Sequence, residues 1–325
     1  MKKLILFICA FLLIPAVNSF PQDKTLFEQL KENFKKKYFN VGVLFKSLAD
    51  FQVERSQPGN NGFSVINFRL KVSGDLDEGF GYYLQTEFTR SPSLLDAFLY
   101  YKISENFRVD IGQYKAPFST EQLLSESALP FVNRARATAM FPPGRQIGLQ
   151  LKATTSTVEV STGIFNGNGT ESRNDNQNFM YAGQVIVSPI KEEKYKLIIT
   201  GNAAFSNDAT SSFKGDRILF GGDIAIVLNK FQLNSEFVHQ KSSSGIILNE
   251  YGYHITGAFY ITEKIQMLAR WDYIKLEGDG DFDDKLVILG CNIWPTEVVK
   301  FQINYLVDDS KFKDDQLLIV SQLAF

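Results

Sequence analysis

From Val41 onward the chain alternates apolar and polar residues with a period of two. In Lys300–Asp308, Phe301, Ile303, Tyr305 and Val307 fall on one face, and Gln302 and Asn304 fall on the other. Tyr195, Leu197, Ile199, Ala203 and Phe205 alternate in the same way against Lys194, Lys196, Thr200 and Asn202. That is the period of a strand with two unlike faces. About sixteen such segments run from 41–53 to 316–325, and eighteen is the neighbouring even count because Leu286–Trp294 is apolar on both faces.

The links between segments alternate in length. Brief ones, Ser104–Asn106, Thr154–Ser156, Asn229–Lys230, Thr262–Lys264 and Pro295–Glu297, take turns with longer polar ones at Glu54–Gly62, Gly167–Asn178, Ser206–Asp216, Gln240–Asn249, Glu277–Asp284 and Asp308–Asp315. One stretch breaks the pattern. Tyr114–Arg145 has no sustained strand period and predicts a loop of about thirty residues, a length uncommon in compact domains and usually functional. Inside it, Ser119-Thr120-Glu121-Gln122 has the spacing of a capping box, so a short helix is expected there, ended by Pro130.

Alternation alone fits a soluble sandwich, apolar face inward, as well as a membrane barrel, apolar face toward lipid. The alternating link lengths favour the barrel, whose short turns and long loops lie on opposite sides of the membrane. So does the last segment, QLLIVSQLAF: Leu317, Ile319, Leu323 and the closing Phe325 share one face, interrupted by Ser321, and resemble the terminal signature of bacterial outer-membrane proteins. The expected fold is all-β, a transmembrane antiparallel up-and-down barrel of about 16 strands with its long third loop folded into the lumen. An even count of this size encloses an aqueous channel.

Composition adds a compartment. Met1–Ser19 joins a basic start (Lys2, Lys3) to an apolar core, LILFICAFLLI, and a small-residue cleavage site, as a secretory signal does. Without it the formal net charge moves from −2 to about −4, because two lysines are lost. Cys291 is then the single cysteine, which excludes an intrachain disulfide and thiolate clusters. Aromatics reach 14% with Phe at 29, and no concentrated basic face points to nucleic acid. Residues 20–40 are lysine-rich and read as a periplasmic leader, with a short helix over Thr25–Lys37 or a disordered tail; residues 41–325 form the barrel.

Asp96 to Leu151 resembles the phosphate-selective porin O and P family, most closely in Gly112-Gln113-Tyr114-Lys115-Ala116-Pro117-Phe118, in Glu121 with Ser125-Glu126, and in Pro143-Gly144-Arg145-Gln146-Ile147-Gly148. The resemblance implies an outer-membrane pore, typically trimeric, that passes small anions or hydrophilic solutes. The family members best known for phosphate carry a dense arginine ladder and a lysine cluster on the third loop. This loop offers Lys115, Arg134, Arg136 and Arg145 against Glu121 and Glu126, so phosphate specificity does not carry over by default, and the expectation is a weak to moderate preference for anions, phosphate or polyphosphate among them.

Those four basic residues are the expected constriction and anion contacts, Arg134 and Arg136 facing the narrow section side by side; the competing reading is that both pair with wall carboxylates and fasten the loop. Arg69, Lys102, Arg108, Arg217 and Arg270 are expected on the pore wall with Lys46, Lys71, Lys152 and Lys196. Asp50, Glu87, Asp96, Asp110, Glu159, Asp223, Glu236 and Asp272 balance them.

The acidic stretch EGDGDFDD, with Asp279, Asp281 and Asp283, lacks the closing Glu of a calcium loop and is expected to stay solvated or to bridge lipopolysaccharide. No cofactor and no metal are expected. His239 and His254 stand apart from any nucleophile motif such as G-x-S-x-G, which argues against a barrel hydrolase; adhesion through the outer loops is the other alternative. The expected partners are small hydrophilic solutes or anions, outer-membrane lipid and lipopolysaccharide, the barrel assembly machinery, and two further copies in a homotrimer.

Overall fold

The computed structural model describes residues 36–52, 61–89, 91–207, 215–243, 247–277, 282–308 and 315–325. The expected signal segment, most of the leader, and the central parts of several outer loops, Asp279 and Asp281 among them, lie outside the described residues.

Sixteen strands follow in chain order: β1 (Asn40–Gln52), β2 (Gly62–Asp75), β3 (Phe80–Glu87), β4 (Ser93–Lys102), β5 (Phe107–Lys115), β6 (Arg145–Thr154), β7 (Val158–Phe165), β8 (Met180–Lys191), β9 (Tyr195–Asn207), β10 (Asp216–Leu228), β11 (Phe231–Ser243), β12 (Ile247–Thr262), β13 (Ile265–Leu276), β14 (Phe282–Ile293), β15 (Val299–Asp308) and β16 (Gln316–Ala324). Each pairs antiparallel with its sequence neighbours, and β1 pairs with β16, for example Leu48 opposite Val320, which closes the barrel. Closure removes the unpaired edges that hydrocarbon would not tolerate. The expected segments and the strands agree to within a few residues.

The two ends of the barrel differ as the link lengths predicted. Two-residue turns join β10 to β11 and β12 to β13, and Asn229 takes φ 54°, the left-handed conformation such a hairpin needs. At the same end the residues just before β1 join the wall, where the Asp75 amide donates to the Lys37 carbonyl at 2.9 Å.

One face of the wall is apolar and exposed, with Leu99, Ile111, Leu149, Ile224, Ile255 and Leu289 near mid-strand. Exposed aromatics on this face stand near strand ends, Phe80, Tyr101, Phe107 and Tyr195 by the short turns and Tyr181 and Phe205 by the long loops. Aromatic girdles of this kind mark the two membrane interfaces. Cys291 shares the parity of Leu289 and is partly exposed.

The opposite face carries the polar residues, and many of these are buried. Gln302 and Asn304, expected to be wet, are 0% and 1% exposed, because the long loop lies on them. That is a correction of environment; the register of β15 is as expected.

Candidate functional site

The loop spans residues 116–144, and its two ends, Lys115 and Arg145, are cross-strand partners on β5 and β6. Three short turns organise it. Helix α1 is Thr120–Leu123, a 3-10 turn covers Glu126–Ala128, and helix α2 is Arg136–Met140. Ser119 caps α1 as its spacing predicted, its side chain accepting from the Gln122 amide at 3.2 Å. The helix stops well before Pro130, since Leu124 is already extended at ψ 144°.

Glu121 ties these pieces to one another and to the wall. Its carboxylate accepts from the Ala135 amide at 2.9 Å and from the Thr138 hydroxyl, and it meets the Arg270 guanidinium of β13. The Glu121 amide in turn donates to Glu236 of β11 at 3.0 Å. Burial works to raise the Glu121 carboxyl, but the Arg270 charge and these hydrogen bonds hold it below its ordinary value.

Other wall residues grip the loop backbone. Lys300 Nζ donates to the Ser127 and Leu129 carbonyls at 2.9 and 3.1 Å, and Gln302 Nε2 to Leu129 and Pro130 at 3.0 and 3.1 Å. Asn292 donates to the Pro130 carbonyl at 2.9 Å, Asn304 accepts from the Val132 amide at 2.7 Å, and Lys46 of β1 donates to the Glu126 carbonyl at 2.6 Å. Such bonds satisfy backbone groups that a buried loop would otherwise leave unpaired.

Three loop phenylalanines, Phe118, Phe131 and Phe141, are fully buried. Phe118 and Phe141 join a cluster with Phe165, Met180, Leu219 and Ile274, and Phe131 packs with Ala258, Leu268 and Ile288. Each ring contributes roughly 1.5–3 kcal/mol by burial. The wall makes room for them: a Cβ on Gly290 would lie 2.9 Å from the Phe131 ring, and one on Gly252 2.7 Å from the Ala137 methyl. Alternation had read this face as polar, and the apolar residues within it, already visible in 286–294, are the docking surface of the loop.

The nominated basic residues all have partners. Arg134 donates to the Glu126 carboxylate and, through Nη2, to the Leu124 carbonyl at 2.8 Å. Arg136 pairs with Asp284 while its amide donates to Asp272 at 2.9 Å. The two arginines therefore part ways; strand parity does not extend into a segment where Arg136 opens α2. Lys115 Nζ donates to the Gln122 and Leu124 carbonyls at 2.6 and 2.8 Å, and Arg145 clamps Asp96 at 2.9 and 3.0 Å.

On the wall, Arg69 meets Glu87 at 2.7 Å, Arg108 meets Asp110 at 2.5 and 3.0 Å, and Lys102 meets Asp75 at 2.7 Å beside the short turns. Arg270 and Arg217 are committed to the loop, Arg217 donating to the Phe141 carbonyl and to Gln240. Of the fastening reading, Arg136 has wall carboxylates beside it, Asp272 and Asp284, whereas Arg134 pairs within the loop, with Glu126.

Between loop residues 123–127 and the polar faces of β1 to β6 a cavity of about 430 Å³ remains. Its described lining has five basic side chains, Arg69, Lys71, Lys115, Arg145 and Lys152, against three acidic ones, Asp96, Asp110 and Glu126. Tyr83, Phe98 and Tyr114 also border it. No sequence reading singled these aromatics out, although Phe98 shares the parity of Asp96 and Lys102.

A closed sixteen-strand antiparallel barrel, apolar outside and polar on its other face, with a long loop after the fifth strand, defines the porin class. The anion-selective porin from Comamonas acidovorans is similar at TM-score 0.69 and 12% identity, with 89% of this chain and 99% of that chain covered. The in-vitro folded OmpT of Vibrio cholerae in its trimer form is similar at TM-score 0.64 and 11% identity, covering 88% and 99%. Salmonella typhi OmpF in complex with daunomycin is similar at 0.65 and 10%, covering 88% and 97%. No curated protein matches the sequence. The profile of the family described as phosphate-selective porin O and P matches residues 38–218, so the chain belongs to that family and is a porin of the bacterial outer membrane.

Proposed function

We propose that the chain forms a water-filled channel for passive diffusion of small hydrophilic solutes, with the loop 116–144 folded into the lumen and a weak to moderate preference for anions. The observation that carries this reading is the path of the loop. It leaves β5 and bonds to the polar face of β11, β13, β14 and β15 on the far side of the wall, and the remaining passage, beside β1 to β6, has an excess of two basic side chains among its described lining.

A narrow passage with low-dielectric walls focuses such a charge, whereas the acidic outer loops act across wide water and are screened within about 8–10 Å at physiological salt. Carboxylates stand beside Arg69, Arg108 and Arg145, so the preference stays modest and does not separate phosphate from chloride strongly. Assembly as a homotrimer is part of this reading, supported by the trimer form described for OmpT. Planar bilayers under a KCl gradient test it: stable ohmic steps with a reversal potential on the chloride side are expected, and a cation-side potential overturns the preference.

A further inference from the structure

The cross-strand register of β2 to β6 stacks the polar-face residues of the passage into tiers. Nearest the loop, Lys71 stands opposite Gln85 and Gln85 opposite Asp96, which Arg145 holds with two hydrogen bonds. One step toward the short turns, Tyr83 stands opposite Phe98, their rings stacked at 5.3 Å and 17°, and Tyr114 meets Phe98 edge-on at 5.2 Å and 70°. One step further, Tyr100 stands opposite Asp110, the Arg108 guanidinium lies over the Tyr100 ring at 4.5 Å, and Lys152 is 3.1 Å from Asp110. An aromatic tier thus lies between two acid–base tiers.

A chloride or a phosphate ion has no use for the aromatic tier. A sugar ring uses the accessible parts of Tyr83 and Phe98, which Tyr114, buried in the apolar cluster behind them, holds in place. Its C–H faces pack on aromatic rings, and its hydroxyls donate to a carboxylate while accepting from the guanidinium that holds it. The basic excess then favours a sugar that carries a carboxylate. The cavity, about 430 Å³, lies within the range of small-molecule sites.

We propose that this tiered wall is a binding subsite for small polyhydroxylated carboxylates, of which the sugar acids are the simplest. The inference rests on the pore reading and adds its solute class.

The test is interruption of the single-channel current of the full chain in KCl by D-glucuronate. Resolved interruptions are expected at millimolar glucuronate, with glucose and inorganic phosphate weaker by on the order of tenfold, equal to about 1.4 kcal/mol. Tyr83→Ala and Phe98→Leu each raise the half-blocking concentration of glucuronate, while Leu84→Val, on the lipid side of β3, leaves it in place. Absence of ohmic steps defeats the pore reading itself. Ohmic steps that glucuronate does not interrupt, or that glucose or phosphate interrupts equally well, overturn this inference alone.

Discussion

Arg270, expected on the pore wall, and Arg134, expected at the constriction, occupy different surroundings and both bond to the loop. The Arg270 guanidinium lies over the Phe131 ring at 4.5 Å, donates to the Asn133 carbonyl at 3.2 Å and meets Glu121. Replacing it by leucine leaves the Glu121 carboxylate buried without its partner, and breaking a buried pair in this way costs about 3–5 kcal/mol. Arg270→Leu should unfold at clearly lower urea than wild type, and an unchanged midpoint would deny the loop its wall anchor. Arg134 balances Glu126, which borders the passage, and Arg136 balances Asp272 and Asp284 of β13 and β14. Their joint change to alanine uncovers those carboxylates, so the reversal potential should move toward cations and the open-channel current should become noisier. Acid acts on the same contacts. Burial pushes the Glu126 carboxyl up, but the Arg134 guanidinium outweighs it and holds the group below its ordinary value. A lowered value means that the contribution is present above the ordinary carboxylate range, near about pH 4.3, and is lost as pH falls below it. Channel noise should stay flat from about pH 8 to pH 5 and rise below about pH 4; noise rising already near neutral pH would contradict this pairing.

At the scale of the element, β15 carries the clearest test. Phe301, Ile303 and Tyr305 share the lipid face, and Ile303→Arg should impair assembly by roughly 2–4 kcal/mol if it lies near the midplane. Gln302→Arg also fails, for another reason: its position is filled by the Leu129 and Pro130 carbonyls. Gln85→Arg, on the open passage, should be accepted and strengthen anion preference; heat-modifiability on gels reads all three. The strands were legible because a period of two over some ten residues leaves few other solutions, and the Ser119 cap was legible because it depends on a spacing of three. The far-wall anchors were not. That Lys300 meets Ser127, or that Gly290 gives room to Phe131, depends on contacts between residues more than 150 positions apart, and no local period encodes them. The same holds for Tyr83, Phe98 and Tyr114, whose grouping needs the register of three strands.

At the scale of the molecule, the barrel supplies a closed wall, and in the proposed reading the loop fills much of the side by β10 to β15, where a cavity of about 280 Å³ persists between the loop and β10–β13, and leaves the side by β1 to β6 open. The filled side is held by Phe118, Phe131 and Phe141 and by the Glu121 contacts; the open side runs past Ser125 and Ser127 to β1–β6. The most direct test of this division is covalent block of single channels in a Cys291→Ser background. With Ser125→Cys, which is exposed toward the passage, a bulky water-soluble methanethiosulfonate reagent should lower the current of each open channel in discrete steps. The same reagent on Leu149→Cys, at the lipid face, should leave the current unchanged. A Ser125→Cys channel whose current stays whole after its thiol is shown to have reacted would contradict the account, because ions would then be passing elsewhere.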